Sequence, residues 1–288
     1  MHFDPKTNKY PYPEDTAKHY LEVKKDNGVV FDKDYPYIDT SKSFLFKQKM
    51  VRILLRILVF PIMRIRLGLK INGREKIKQN KEILKKGFVS CCNHVHMWDY
   101  IGVMRAILPF KPHLLAWGKN VTGENGTLIR MVGGIPIPEG DLVASMAFIN
   151  AVENALKNGE WIHIYGEGSM WEYYRPIRPL KKGVAHFAVS CDRPILPITY
   201  TYRKPGWIRR VIFKQIACFT INIGDLLYKN DSLDKKEQEI DLTIRTHEAM
   251  CALAGYGPGE NPYEPIYNDS KRVDYYTDKY GVGYKGSW

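Results

Sequence analysis

The chain has 288 residues, 44% of them hydrophobic, which is ample for one large domain or two small ones with a real core. Its 43 Lys+Arg against 31 Asp+Glu give a formal net charge of +12, which favours polyanions: nucleic acid, anionic lipid headgroups or acidic small molecules. Five cysteines, an odd number without CxxC spacing, argue against a disulfide framework or a zinc ribbon and fit a reducing compartment.

Residues 1–40 are polar, rich in Tyr, Pro, Asp and Lys, and read as an irregular extension. They begin without an apolar h-region, so no signal peptide is expected. Residues 41–72 differ sharply. Apolar residues dominate, Lys47, Lys49, Arg52, Arg56, Arg64, Arg66 and Lys70 recur among them, and no acid appears. Pro61 would kink or break a helix there. A basic, strongly apolar stretch of this kind reads as a pair of amphipathic helices in a membrane interface, with cations reaching lipid phosphates. The competing reading is a buried helix with its arginines on the wet side. No uninterrupted run of about 18 apolar residues occurs, so the expected association is peripheral or monotopic, on the cytoplasmic face, without an ordinary transmembrane helix.

Residues 73–256 alternate in pattern. Residues 88–92, 113–117, 161–165, 195–200 and 219–223 look like buried strands. Helical patterns occupy 98–107, 141–158 and 181–191, and 234–255 reads as a closing helix. The alternation predicts an α/β fold with a mixed, largely parallel sheet flanked by helices, and functional residues where strands end and helices begin. Residues 257–288 form a polar tail rich in Tyr and Gly.

Two strand-end stretches could carry chemistry. The first is Cys91-Cys92-Asn93-His94-Val95-His96-Met97-Trp98-Asp99-Tyr100. Its His-x-His and Asp99 resemble the start of a metallo-hydrolase ligand set, but zinc needs three or four ligands and the other histidines form no second cluster. Cys91 and Cys92 sit inside an apolar strand, where thiols are usually inert. The third option is a His–Asp general base, which requires a carboxylate to fix the imidazole tautomer. Regular helix geometry pairs His96 with Asp99, whereas His94 reaches Asp99 only from a loop preceding the helix. The bland alternative is that Asp99 merely complements a helix N-terminus. The other stretch is Gly166-Glu167-Gly168-Ser169-Met170, whose glycines permit a tight turn and leave amides for an anion. Arg175, Arg178, Lys181 and Lys182 follow, either as a solvated face or as a phosphate cradle.

Together these stretches resemble the glycerophospholipid acyltransferase superfamily, the PlsC-like 1-acyl-glycerol-3-phosphate acyltransferase group. The first block, His, four residues, Asp, preceded by Asn, is Asn93, His94 and Asp99. Block two resembles Gly133-Gly134-Ile135-Pro136-Ile137-Pro138-Glu139. Block three resembles Glu167-Gly168-Ser169-Met170 followed by Lys181-Lys182-Gly183 and Ala188, and block four resembles Pro194-Ile195-Leu196-Pro197. Order and spacing match over residues 85–225. The resemblance implies acyl transfer from acyl-CoA or acyl-carrier protein to a lipid hydroxyl. His94 would be the base and Asp99 its orienting carboxylate, with no metal and no cofactor beyond the acyl thioester. Implied substrate-binding positions are Lys119, Gly134, Glu167, Gly168, Ser169, Arg175 and Arg178, with oxyanion-stabilising amides near Gly134 or Gly168. Membrane lipid and the acyl donor are the implied partners; nucleic acid is not, since no nucleic-acid motif accompanies the charge. Two departures stand out: Glu139 and Met170 replace arginines that the family associates with the acceptor's phosphate. Arg130, Arg175 or Arg178 could compensate. The readings kept as alternatives are a non-catalytic lipid-binding protein of the membrane surface and a metallo-hydrolase using His94, His96 and Asp99.

Overall fold

A computed structural model describes residues 26–263 apart from Lys182. It begins with irregular chain, then α1 (Lys42–Leu54), one π-helical turn (Leu55–Val59) and α2 (Phe60–Ile65), which follow one another without a break. Pro61 lies in the first turn of α2, so its missing N–H and its ring fall just after the wider π turn, where they do not interrupt a regular ladder. The expected break at Pro61 is therefore a change of helical register.

Next come β1 (Lys70–Asn72), α3 (Arg74–Gln79), α4 (Lys81–Leu84), β2 (Phe88–Cys92), α5 (Asp99–Ala106) and β3 (Pro112–Trp117). Then follow α6 (Gly118–Thr122), α7 (Gly126–Met131), β4 (Gly134–Ile137), α8 (Leu142–Lys157), β5 (Trp161–Tyr165) and α9 (Gly183–Cys191). The last are β6 (Ile195–Arg203), α10 (Trp207–Val211), β7 (Cys218–Ile223) and α11 (Lys235–Leu253). Among the described residues seven strands form one sheet in the order β1-β7-β6-β2-β5-β3-β4. Only the β6–β7 pairing is antiparallel. This is the mixed, largely parallel α/β sheet that the strand–helix alternation predicts. β1 pairs in parallel with β7, so the sheet begins at Lys70, inside the stretch assigned to interface helices. Residues 26–40 are irregular but packed: Tyr37 is buried against Phe148, and Arg130 donates to the Pro36 and Tyr37 carbonyls. The tail past Tyr263 lies outside the described residues.

Central strand β2 is buried along its whole length, as a parallel strand covered on both faces must be. Val89 and Cys91 face one core with Phe148, Val152, Ala185 and Leu242. Phe88 and Cys92 face the other with Val103, Ile107 and Trp171. The α1–α2 stretch leaves most of its apolar side chains exposed beside the exposed cations Lys47, Lys49, Arg56, Arg64 and Arg66, while Leu55, Phe60 and Met63 pack inward. Arg52 is buried and donates to the Pro112 carbonyl, while Leu45, Phe46, Met50, Ile53, Leu54, Ile57, Leu58, Ile62 and Ile65 are exposed. Among the described residues no helix is long and apolar enough to cross a membrane.

Asn93 ties the end of β2 to β6. Its buried side-chain amide donates to the Tyr200 carbonyl at 3.1 Å and its oxygen accepts the Tyr200 N–H at 2.7 Å. Asn93→Ala leaves both backbone groups unpaired in the core and should cost about 3 kcal/mol, measured as a lower urea midpoint with unchanged slope.

Candidate active site

Cys92 and Tyr165 face each other at the ends of parallel strands, so the chain leaves the sheet twice at one place. Segments 93–98 and 166–171 are stitched together there. Trp171 N–H donates to the His94 carbonyl at 2.9 Å and Tyr173 N–H to the Val95 carbonyl at 2.9 Å. Gly166 is required at the crossing, because a Cβ would lie 2.6 Å from Cys91 Sγ and 2.7 Å from Leu180.

His94 lies on the loop and Asp99 opens α5, which lets residues five apart meet: His94 Nδ1 is 2.8 Å from Asp99 Oδ2. The same oxygen accepts the Val95 and His96 backbone N–H groups at 3.0 and 3.2 Å. Oδ1 accepts the Tyr165 hydroxyl. Asp99 is 2% exposed. Burial pushes its carboxyl up, but the electrostatic pull of the adjoining His94 ring and the hydrogen bonds from His94, Tyr165 and the Val95 amide outweigh it and hold the pKa below its ordinary value. An ionised Asp99 keeps the His94 proton on Nδ1 and leaves a lone pair on Nε2. The His94 side chain is 24% exposed, and its ring stacks on Tyr165 with centroids 3.9 Å apart and planes 13° apart. The imidazole is thus held by its edge and by one face while it remains reachable.

His96 does something else. Its Nδ1 accepts the Trp98 N–H at 3.1 Å, its Nε2 lies 3.9 Å from Glu172, and its ring packs on Phe219 and Tyr173. It touches Asp99 only through its backbone, contrary to the pairing that helix spacing suggests. The two histidine rings have different partners, and among the described residues no group of three or more His, Cys, Asp or Glu is placed to hold a metal ion. Cys91 and Cys92 are buried, and burial pushes the Cys91 thiol up to about 12 and Cys92 well above its usual value, which removes both as nucleophiles.

Glu167 is a strut. Oε2 accepts the His94 backbone N–H at 3.1 Å and the Arg178 guanidinium at 2.8 Å, and Oε1 accepts the Arg178 N–H at 2.8 Å. Arg178 also donates to the Ser169 hydroxyl and carbonyl and lies 4.5 Å over the Trp171 ring. At 1% exposure it cannot reach a substrate phosphate, which corrects its expected place in a phosphate cradle. Glu167 and Ser169 are buried with it, so their side chains shape the loop and do not meet a ligand. The Gly168 amide donates to the Tyr165 carbonyl and closes a turn at φ +82°, so it is not a spare oxyanion donor. Gly134 pairs with Leu114, which is level with His163 and hence with Ser90, well below the strand ends that carry His94 and three strands away. A Cβ there would lie 2.5 Å from the Ile129 side chain, so this glycine serves packing.

Arg130 is occupied by the Pro36, Tyr37 and Gly134 carbonyls. Lys119 remains exposed, with Nζ 5.4 Å from the Trp117 ring centroid. The Trp117 indole N–H donates to Glu139 at 2.6 Å, so Lys119 and Glu139 flank one ring where β3 and β4 end. Arg175 is half-buried and Met170 is buried.

Sequence reasoning missed Tyr165, although it ends a predicted strand directly before Gly166-Glu167. It also missed the apolar cluster beside Asp99, formed by Met63, Leu67, Leu69, Trp98 and Phe219 with His96 and Tyr200 and packed too tightly to hold a water molecule. A cavity of about 470 Å³ lies among Arg52, His113, Arg130, Gly134 and Glu160 where β3, β4 and β5 begin, away from His94.

The family model described as Acyltransferase matches residues 68–201. A relative, the 1-acyl-sn-glycerol-3-phosphate acyltransferase of Bacillus subtilis (strain 168), is 25% identical over 197 residues, which is 67% of this chain and 91% of that protein. Among solved structures, the 1-acyl-sn-glycerophosphate (LPA) acyltransferase PlsC from Thermotoga maritima aligns with a TM-score of 0.41 and 15% identity, over 74% of this chain and 84% of that one.

Burial lowers the pKa of His96 from 6.5 to about 4 and of His163 from 6.5 to about 3. The unfolded chain therefore takes up protons from pH 6.5 downward while the folded chain resists. Stability is full above pH 6.5 and is lost as pH falls towards 4 and then 3. His96→Asn should flatten the upper part of that fall, read from urea midpoints across the range.

Proposed function

The chain belongs to the PlsC-like glycerophospholipid acyltransferase superfamily and is an acyltransferase, and we propose that it moves a fatty acyl group from acyl-CoA or acyl-carrier protein to a hydroxyl of a lysophospholipid or related lipid. The observation that carries this reading is the buried Asp99 carboxylate bonded to His94 Nδ1, with the opposite edge of the ring left reachable. The acceptor hydroxyl gives its proton to His94 Nε2 as its oxygen attacks the thioester carbonyl. The C–O bond forms, a tetrahedral oxyanion follows, and the C–S bond breaks. The departing thiolate takes the proton back from Nε2. Asp99 stabilises the transient imidazolium and stays ionised. No acyl-enzyme forms in this scheme, in keeping with the burial of both cysteines. The acyl thioester is a co-substrate, and no further cofactor enters the mechanism.

The acceptor reaches the site from a membrane surface. What supports this is the α1–α2 stretch, whose exposed apolar side chains alternate with cations and have no acids among them. The domain boundaries at about 41, 73 and 256 follow as a membrane-contacting segment ahead of the transferase sheet, with the edge strand from Lys70 reassigned to the sheet. The substrate in the name of the B. subtilis relative suggests a phosphate-bearing acceptor. With Arg178 buried and Arg130 on carbonyls, the exposed Lys119 is the cation best suited to hold that phosphate, and Glu139 opposes it.

With free-thiol release from acyl-CoA as readout, His94→Ala should fall to the blank and Asp99→Asn should lose on the order of 10³–10⁴-fold in kcat. His96→Ala should keep measurable turnover; a dead His96→Ala beside an active His94→Ala would show that His96, and not His94, is the base. Glu139→Arg should raise kcat/KM for lysophosphatidic acid over an uncharged lysolipid by about tenfold, or about 1.4 kcal/mol. An unchanged ratio would take Glu139 out of headgroup selection.

A further inference from the structure

The segment between β6 and β7 carries five exposed large apolar side chains within seven residues: Trp207, Ile208, Val211, Ile212 and Phe213. Trp207 is 66% exposed and Val211 65%. A soluble hairpin connection would be expected to turn such groups inward or replace them with polar residues. Instead the polar residues of this segment are cations. Lys204, Arg209, Arg210 and Lys214 fall within residues 204–217, and no acid does. α10 therefore repeats, in miniature, the composition of α1–α2.

The two elements are also locked together. Arg209 Nε donates to the Ile65 carbonyl at 2.9 Å, at the end of α2. Arg203 donates to the Gly68 carbonyl, and the Phe219 N–H to the Leu67 carbonyl at 3.2 Å. A Cβ on Gly68 would lie 2.6 Å from Cys218 Sγ, so the α2 exit and the β6–β7 hairpin touch at backbone distance. The exposed Ile62 and Ile65 of α2 thus continue into the exposed face of α10. Leu67 also belongs to the apolar cluster beside Asp99 with Trp98, which is itself exposed next to Met97.

We propose that α10 and the residues after it, Trp207–Phe213, are a second membrane-inserting element, which binds the anionic headgroups and upper acyl region of the bilayer that α1–α2 contacts. The proposal rests on the membrane-surface reading of α1–α2 and extends it to a part of the chain far away in sequence. Charge selects the occupant: a segment with cations and no acid in its sequence fits an anionic lipid surface, while a second copy of the same segment would bring like charges together. Two anchors joined at Ile65–Gly68 fix the orientation of the sheet relative to the lipid, with the exposed Trp98 beside the cluster they border. A single helix could roll about its axis; two linked elements cannot.

The test is flotation of the full chain with phosphatidylcholine vesicles, with and without phosphatidylglycerol. Trp207→Glu and Val211→Glu are each expected to weaken partition into the anionic vesicles by about tenfold. Ile244→Glu, which makes the same change on exposed α11, should leave partition at the parent level, and the Tm of each variant reports whether it folds. If Leu58→Glu on the π turn releases the protein while both α10 variants bind like the parent, α10 is not an anchor and the proposal falls. If the parent itself does not float, the membrane reading of α1–α2 fails first. If the α10 variants float normally but change a dimer into a monomer on gel filtration, the face joins copies of the chain and the proposal is overturned.

Discussion

One ionised carboxylate organises this protein. Asp99 is buried, and alone in that environment it would be protonated or would unfold its surroundings. It is kept charged by four donors from two parts of the chain: the His94 ring and the Val95 and His96 amides of the loop after β2, and the Tyr165 hydroxyl at the end of β5. Each donor has to be delivered to within hydrogen-bond distance, so the ends of β2 and β5, the loop after β2 and the start of α5 are all fixed by the same anion. Tyr165 contributes twice, through its hydroxyl on Asp99 and its ring on His94. Glu167 works from the other side of the loop. It holds the His94 backbone and is itself neutralised by Arg178. The site is therefore two buried carboxylates with opposite duties, one tuning the imidazole and one positioning its backbone.

The sheet was legible because its central strands are short apolar runs bounded by turn residues, and β2 and β5 lie at the lengths the pattern gives. β1 and β4 were not legible as strands. Lys70–Asn72 is only three residues long, and Gly134–Ile137 contains a glycine and a proline, which its place at the sheet edge tolerates. His94 and Asp99 could be singled out, but local periodicity favoured His96, because spacing along a helix cannot show that the helix starts only at Asp99. The cationic residues were hardest to assign. A sequence shows that Arg178 and Arg130 are positive, but not that each is already consumed inside the fold, one by Glu167 and Ser169 and the other by backbone carbonyls.

The surface tells a parallel story. Residues 42–65 announce themselves by lacking acids, yet the informative observation is how much of their apolar surface stays exposed, Leu45, Leu54 and Leu58 included, while Arg52 is held inside. The α10 segment is too short to register as amphipathic in sequence, and its meaning comes from its attachment to the end of α2. A reachable imidazole at a strand end and two exposed apolar elements joined at Ile65–Gly68 are the features on which the proposed chemistry on a membrane lipid rests.

The most direct measurement is the ¹⁵N chemical shift of the two His94 ring nitrogens in the substrate-free protein near neutral pH. A buried Asp99 anion on Nδ1 predicts the tautomer with the proton on Nδ1 and a bare Nε2, lost or mixed in Asp99→Asn. A His94 that carries its proton on Nε2 in the parent would contradict the account, since that nitrogen could not then take a proton from an acceptor hydroxyl.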